Sequence, residues 1–159
     1  MCIRDRLRAA LLRHGRLPWP QVARSVSDAA LALAYAHGRR DDDGRLLGII
    51  HGRVSPGRIT VEPSGNARVT GLGLSWAWPE HLGFGAPEET RREPMDGRAD
   101  VFALGAILRH CAQGPDLPDP VAQLIQRATD ALPEHRCTAA QMHDALIDIL
   151  RDAEPAAAE

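Results

Sequence analysis

Apolar residues recur at helical spacing over most of the chain. They predict a short helix over residues 6–14 and a longer one over residues 19–36 that buries one face. After residue 96 the same spacing predicts three more helices. The first ends near Gly114, the second begins with Asp119 as its cap and Pro120 as its first residue, and the third follows a capping box at residues 138–141.

Two short strand candidates lie between these helical stretches. Residues 59–61 and 67–69 flank a Pro-Ser-Gly-Asn sequence that is typical of a turn, so a β-hairpin is predicted. Residues 71–85 are rich in Gly and Trp and show no periodicity, which indicates an irregular segment. The expected fold class is mainly α with one small β-hairpin.

Length and composition suit a single globular domain. The chain has 159 residues, of which 44% are apolar and 25% are charged. Its net charge is −2, which does not indicate a broad basic surface for nucleic-acid binding. No apolar run approaches membrane-spanning length, and a cytoplasmic location is expected. Residues 1–5 back-translate to a sequence resembling a sequencing adapter and are interpreted as a non-native start. Residues 6–151 are expected to form the domain, and residues 152–159 a disordered tail.

The basic residues exclude several kinds of active site. All 19 are Arg, so no Schiff-base Lys, P-loop Lys or Ser–Lys dyad exists in this chain. Cys2, Cys111 and Cys137 show no metal-binding spacing, and the seven His are scattered. No metal site is predicted.

Five groups of motifs occur in one order along the chain. They are Ala34-Tyr35-Ala36-His37 with residues 49–59, Gly71-Leu72-Gly73, Ala86-Pro87-Glu88, residues 100–105, and Pro133-Glu134-His135-Arg136. Together they resemble the C-lobe of a protein kinase of the bacterial serine/threonine group, over residues 6–150. The resemblance implies the α+β kinase fold with its N-lobe absent, in a family that uses ATP and Mg²⁺.

The chain departs from the family where phosphate is transferred. After His51, Arg53 stands where the family has its catalytic Asp, and an Arg cannot accept the substrate proton. Arg58 and Gly71 replace the family's two magnesium ligands, and neither side chain offers an oxygen. Ser55 replaces the usual Lys. The resemblance therefore implies a degenerate loop, with no cofactor expected.

Other family residues persist, and the resemblance gives them structural roles. His51 would support the loop backbone, Asp100 would accept hydrogen bonds from that backbone, and Glu88 would pair with Arg136. Trp76 and Trp78 either cover the core or anchor a partner.

The favoured interpretation is a pseudokinase C-lobe, not an enzyme, that binds a protein partner or a missing N-lobe segment. The alternative is a fragment of an active serine/threonine kinase, and an accidental likeness in a helical interaction domain is the least favoured. Arg53 and Arg58 together form a possible anion-binding site. The simpler possibility is that they pair with local carboxylates such as Glu62 or Asp96.

Overall fold

The computed structural model describes residues 5–15, 17–73, 83–112 and 117–153. The described part is mainly helical with a small antiparallel sheet, so the predicted fold class is confirmed. The helices are α1 (Leu7–His14), α2 (Trp19–His37), α3 (Pro87–Arg91), α4 (Gly97–Cys111), α5 (Asp119–Ala128) and α6 (Ala139–Ala153), with a 3₁₀ turn at Pro133–His135. The strands are β1 (Asp5–Arg6), β2 (Ile59–Val61) and β3 (Ala67–Val69).

Helix α2 is the central element of the core. It packs against α4, α6 and β3. The five residues whose spacing predicted a buried face are all buried, namely Val22, Val26, Ala29, Ala30 and Leu33. Because all of them lie on one face, the apolar periodicity was sufficient to predict the helix and its buried side.

The sheet contains the predicted hairpin and one further strand. β2 and β3 pair antiparallel with Ile59 opposite Val69, as the turn residues indicated. β1 pairs with the other edge of β2, placing Arg6 opposite Thr60, which the sequence analysis did not predict. A two-residue strand is too short to produce an alternating pattern. The non-native origin of residues 1–5 stays a prediction.

Helix α4 begins directly after Asp96, where the helical pattern was predicted to resume. The Asp96 Oδ1 accepts a hydrogen bond of 2.7 Å from the Arg98 amide, and the helix then buries Val101, Leu104 and Leu108. It ends at Cys111. The predicted stop at residues 114–115 lies outside the described residues.

The two C-terminal helices differ in how well their starts were predicted. Asp119 is not the cap of α5 but its first residue, because Pro118 already holds the extended cap conformation and its carbonyl accepts the Val121 amide. The box before α6 is confirmed, since Thr138 and Gln141 exchange hydrogen bonds of 2.9 and 3.2 Å. α6 continues to Ala153, beyond the boundary predicted at residue 151.

Among the described residues, no helix combines the length and apolar character needed to cross a membrane.

Candidate degenerate kinase site

The loop at residues 51–58 is anchored to α4 by one carboxylate. Asp100, in the first turn of α4, is almost completely buried and accepts hydrogen bonds from the amides of His51 (2.9 Å) and Gly52 (2.7 Å). Hydrogen bonds to an ionised group are stronger than neutral ones. A single side chain therefore fixes where the loop begins.

His37 is a further partner of Asp100 that the sequence analysis did not assign. Its Nε2 lies 2.8 Å from the Asp100 Oδ2, although 63 positions separate the two residues. The His37 ring packs closely against Gly97, since a Cβ added at Gly97 would lie only 2.5 Å from the ring Nδ1. The available signal was that His37 ends the first kinase-like motif.

The His51 ring joins the loop to the segment that leads to Gly71. The ring is fully buried, with its Nε2 3.1 Å from the Thr70 carbonyl and its Nδ1 3.2 Å from the Arg53 amide. A carbonyl only accepts and an amide only donates, so the ring is the neutral Nε2–H tautomer. In this form it holds two backbone segments together.

Arg53 points toward α3. Its Nε lies 4.0 Å from Glu89 Oε1, a local carboxylate that was not among the two examples taken from the sequence. Glu62 instead pairs with Arg68 at 3.0 Å, and Asp96 caps α4. The guanidinium at this position has no lone pair with which to accept a proton.

Arg58 and Gly71 are in contact. The Arg58 Nη1 lies 3.0 Å from the position that a Cβ on Gly71 would occupy, and Gly71 has a φ of +89°, which disfavours other residues. Within the described parts of the chain, the Arg58 guanidinium has no carboxylate partner. Arg58 thus provides a positive charge at this place, and Gly71 provides no side chain.

These residues do not fit a magnesium ion. Mg²⁺ requires oxygen ligands in near-octahedral geometry, and Arg58 and Gly71 provide none from their side chains. The described residues also contain no group of three His, Cys, Asp or Glu side chains placed to hold a metal. The anion site predicted from Arg53 and Arg58 stays a prediction.

The remaining loop position, Ser55, lies in a turn of the loop backbone. It is buried, its carbonyl accepts the Arg58 amide at 2.9 Å, and it closes the turn that carries Pro56 and Gly57. Leu72, in the motif Gly71-Leu72-Gly73, is about half exposed. Trp76 and Trp78 lie outside the described residues.

Glu88 and Arg136 form a buried bidentate ion pair. The Arg136 Nη1 and Nη2 donate to the two Glu88 carboxylate oxygens at 2.7 and 2.9 Å. Burial raises the pKa of Glu88. The hydrogen bonds and charge of Arg136, together with a backbone hydrogen bond and the charge of Arg91, lower it by more, so the pKa lies below its usual value. Arg136 also lies over the Phe102 ring, 4.9 Å from its centre. The pair joins α3 to the segment before α6.

The chain is similar to curated protein kinases from bacteria and plants, whereas no family model matches it. It is 28% identical over 186 residues to the tyrosine-protein kinase MasK of Myxococcus xanthus, covering 92% of this chain and 29% of the relative. It is 35% identical to CBL-interacting serine/threonine-protein kinase 7 of Arabidopsis thaliana, covering 62% and 24%, and 27% identical to serine/threonine-protein kinase PknB of Mycobacterium leprae, covering 68% and 18%.

The chain therefore spans less than a third of the length of each of these relatives. The matches agree with the order of motifs and with the largely helical, C-lobe-like architecture. The loop held by Asp100 and the buried Glu88–Arg136 pair stand at the positions that the motifs occupy. On these grounds the chain is similar, in sequence and in architecture, to members of the protein kinase-like superfamily.

Proposed function

We propose that this protein is a catalytically impaired kinase-like domain that acts in the cytoplasm by binding or regulating a protein partner, without transferring phosphate. The partner is a separate protein or another segment of a larger polypeptide that includes this chain. The proposal concerns the whole gene product, because the chain matches only part of each relative.

The contact between Arg58 and Gly71 is the observation that carries this proposal. In the family the corresponding residues are Asn and Asp, and both hold magnesium. Here a guanidinium lies against the glycine, so the place is positively charged and lacks side-chain oxygens. A divalent cation would be repelled there, and Arg53 supplies no proton acceptor nearby in the loop.

The intact scaffold supports a binding role. Asp100 still holds the loop, and Glu88 and Arg136 still form a buried pair, although these contacts transfer no phosphate. A fold that keeps its internal supports presents a fixed surface, which suits recognition of a partner.

Phosphate transfer by the complete gene product tests this proposal. The protein is incubated with radiolabelled ATP and Mg²⁺ or Mn²⁺, with casein as the acceptor, and incorporation into both proteins is counted. We expect none above the level of a heat-denatured sample. Transfer that follows the protein through successive chromatography steps, and that the exposed control Arg68→Ala leaves intact, would refute the proposal. Transfer that separates from the protein comes from a contaminating kinase and leaves the proposal standing.

The second candidate is a fragment of an active serine/threonine kinase, favoured by the kinase names of the relatives. Titration calorimetry of the complete gene product with Mg²⁺ and ATP separates the two. Binding that requires Mg²⁺ supports the active kinase, whereas absence of heat with either ligand ends that alternative.

A further inference from the structure

A pocket lies where residues 46–50, just before the loop, meet the starts of α4 and α6. Its volume is about 300 Å³, at the lower end of the range of sites that hold small ligands. The His37 ring lies in its lining together with Gly97 and Thr138. A volume of this size suits one small organic molecule.

Contacts within the fold hold the walls of this pocket in place. A β-bridge pairs Leu46 with Arg40. The Asp41 Oδ1 closes the turn between them, because it accepts the Arg45 amide at 2.8 Å. On the opposite side the His37 ring lies 2.8 Å from the buried carboxylate in the first turn of α4. A pocket whose walls are already fixed binds a ligand with less loss of conformational entropy.

Most of the wall that faces the ligand space is apolar. Leu46 is 58% exposed and Met95 is 38% exposed, although both line a concave site. Ile49 and Ile50 lie beside them and are only partly buried. Apolar surface of this kind loses contact with water when an apolar group of the ligand covers it.

Two opposite charges at the start of α4 border the pocket without pairing with each other. The Asp96 Oδ1 accepts the Arg98 amide at 2.7 Å, and its Oδ2 has no hydrogen bond with any described residue. The Arg98 guanidinium likewise has no hydrogen bond or ion pair with the described part of the chain. Each side chain therefore remains available to a ligand group of the opposite charge.

This pair of charges favours a zwitterionic ligand. A simple carboxylic acid would pair with Arg98 but place its negative charge near Asp96, and a simple amine would meet the reverse conflict. An α-amino acid carries both charges on one carbon atom, and its side chain extends away from them. A single small molecule can thus satisfy both charges and the apolar wall.

We infer that the pocket binds a free α-amino acid with an apolar side chain of about the size of leucine, and that this ligand steadies the loop at residues 51–58. The carboxylate pairs with Arg98, the ammonium pairs with Asp96, and the side chain packs against Leu46 and Met95. The inference goes beyond the proposed partner binding and does not depend on it.

The effect on the loop passes through the His37 ring. The ring lines the pocket and contacts Asp100, whose carboxylate accepts the amides of His51 and Gly52. A ligand that packs against the ring restricts its motion and therefore that of the carboxylate. The two loop amides should then open to solvent less often.

Saturation-transfer difference NMR with L-leucine tests the identity of the ligand. We expect transfer from the protein to the leucine methyl groups, and a titration gives the dissociation constant. Isocaproate lacks the ammonium, isopentylamine lacks the carboxylate, and L-serine lacks the apolar side chain. Each of the three should bind at least tenfold more weakly than leucine.

Variants of the lining residues place the ligand in this pocket. Arg98→Gln and Asp96→Asn should each weaken leucine binding at least tenfold, and Asn keeps the helix cap because it also accepts the amide. Leu46→Ser should weaken binding at least threefold. The matched controls are Arg151→Gln, in the last turn of α6, and Leu31→Ser, an exposed position on α2, and both should bind as the unsubstituted protein does.

Hydrogen exchange with and without saturating leucine tests the effect on the loop. The amides of His51 and Gly52 should exchange at least threefold more slowly with leucine, and Arg98→Gln should abolish the difference at the same leucine concentration.

Four results would overturn the inference. They are no transfer to leucine, binding of isocaproate or isopentylamine as tight as that of leucine, binding unchanged by Arg98→Gln and Asp96→Asn, and loop amides that exchange equally fast with leucine bound. Failure of the proposed function is recognised separately, because leucine binding is measured without ATP. Phosphate transfer that copurifies with the protein overturns that proposal and leaves the leucine result as it stands.

Discussion

The Glu88–Arg136 pair gives the sharpest prediction about stability. Removing one member of a buried pair leaves an uncompensated charge, at a cost of about 3–5 kcal/mol. In Glu88→Ala the guanidinium keeps its bonds to the carbonyls of Asp130 (2.8 Å) and Arg98 (3.2 Å), which places the loss near the lower limit. We therefore expect the free energy of unfolding to fall by about 3 kcal/mol.

Urea unfolding at neutral pH, followed by far-ultraviolet circular dichroism, measures this loss. Glu93→Ala is the control, because Glu93 is exposed and its ion pair with Arg91, at 3.8 Å, should contribute less than about 1 kcal/mol. In a double-mutant cycle with Arg136→Met, the double variant should lose less stability than the sum of the two single variants. If Glu88→Ala unfolds at the same urea concentration as Glu93→Ala, the assigned role of the pair is wrong.

The pH dependence of the stability that Glu88 contributes follows from the direction in which its pKa is shifted. Arg136 and the neighbouring groups hold the pKa of folded Glu88 below its usual value, against the opposing effect of burial. The unfolded chain thus takes up the proton first as the pH falls. The contribution of Glu88 is complete above the unfolded pKa and is lost as the pH falls through the folded pKa. The stability difference from Glu88→Gln should shrink in acid, and a difference that grows there contradicts the reasoning.

Three further predictions concern other contacts. Asp100→Asn removes the charge from two loop hydrogen bonds and should cost about 2–3 kcal/mol, with faster hydrogen exchange of the two loop amides; unchanged exchange would contradict it. Gly97→Ala should lower the melting temperature because its Cβ meets the His37 ring, and His37→Ala should remove most of that effect; simple additivity would argue against the contact. Burial raises the pKa of Cys111 to about 12, so iodoacetamide labelling of the native protein, read by mass spectrometry, should be no faster than unfolding.

Local features of the fold were predictable because their causes lie close together in the sequence. The apolar face of α2 repeats within one or two turns, and the box of Thr138 and Gln141 spans a single turn. The hairpin depends on one turn and two short runs of residues. The cap of α5 was misplaced by one position because Asp119 and Pro118 both suit a helix start, and the backbone of Pro118 decides between them.

The contacts of the site depend on packing between distant segments, which no local pattern encodes. The motif order indicated that Asp100 would meet the loop, but not that His37 would share its carboxylate. It left the partner of Arg53 open, and Glu89 on α3 was not considered. The contact of Arg58 with Gly71 required the hairpin to bring two loop ends together.

The contact between Arg58 and Gly71 also restricts the order in which evolution can change these positions. An Asp introduced at position 71 first would meet the guanidinium and form an ion pair, which satisfies the new carboxylate without a metal. Natural selection for metal binding would then have no gain to act on. A return through Arg58→Asn first removes the obstructing charge, yet that single step also provides no metal ligand pair. Either single change therefore leaves this place without a pair of side-chain ligands for a metal ion.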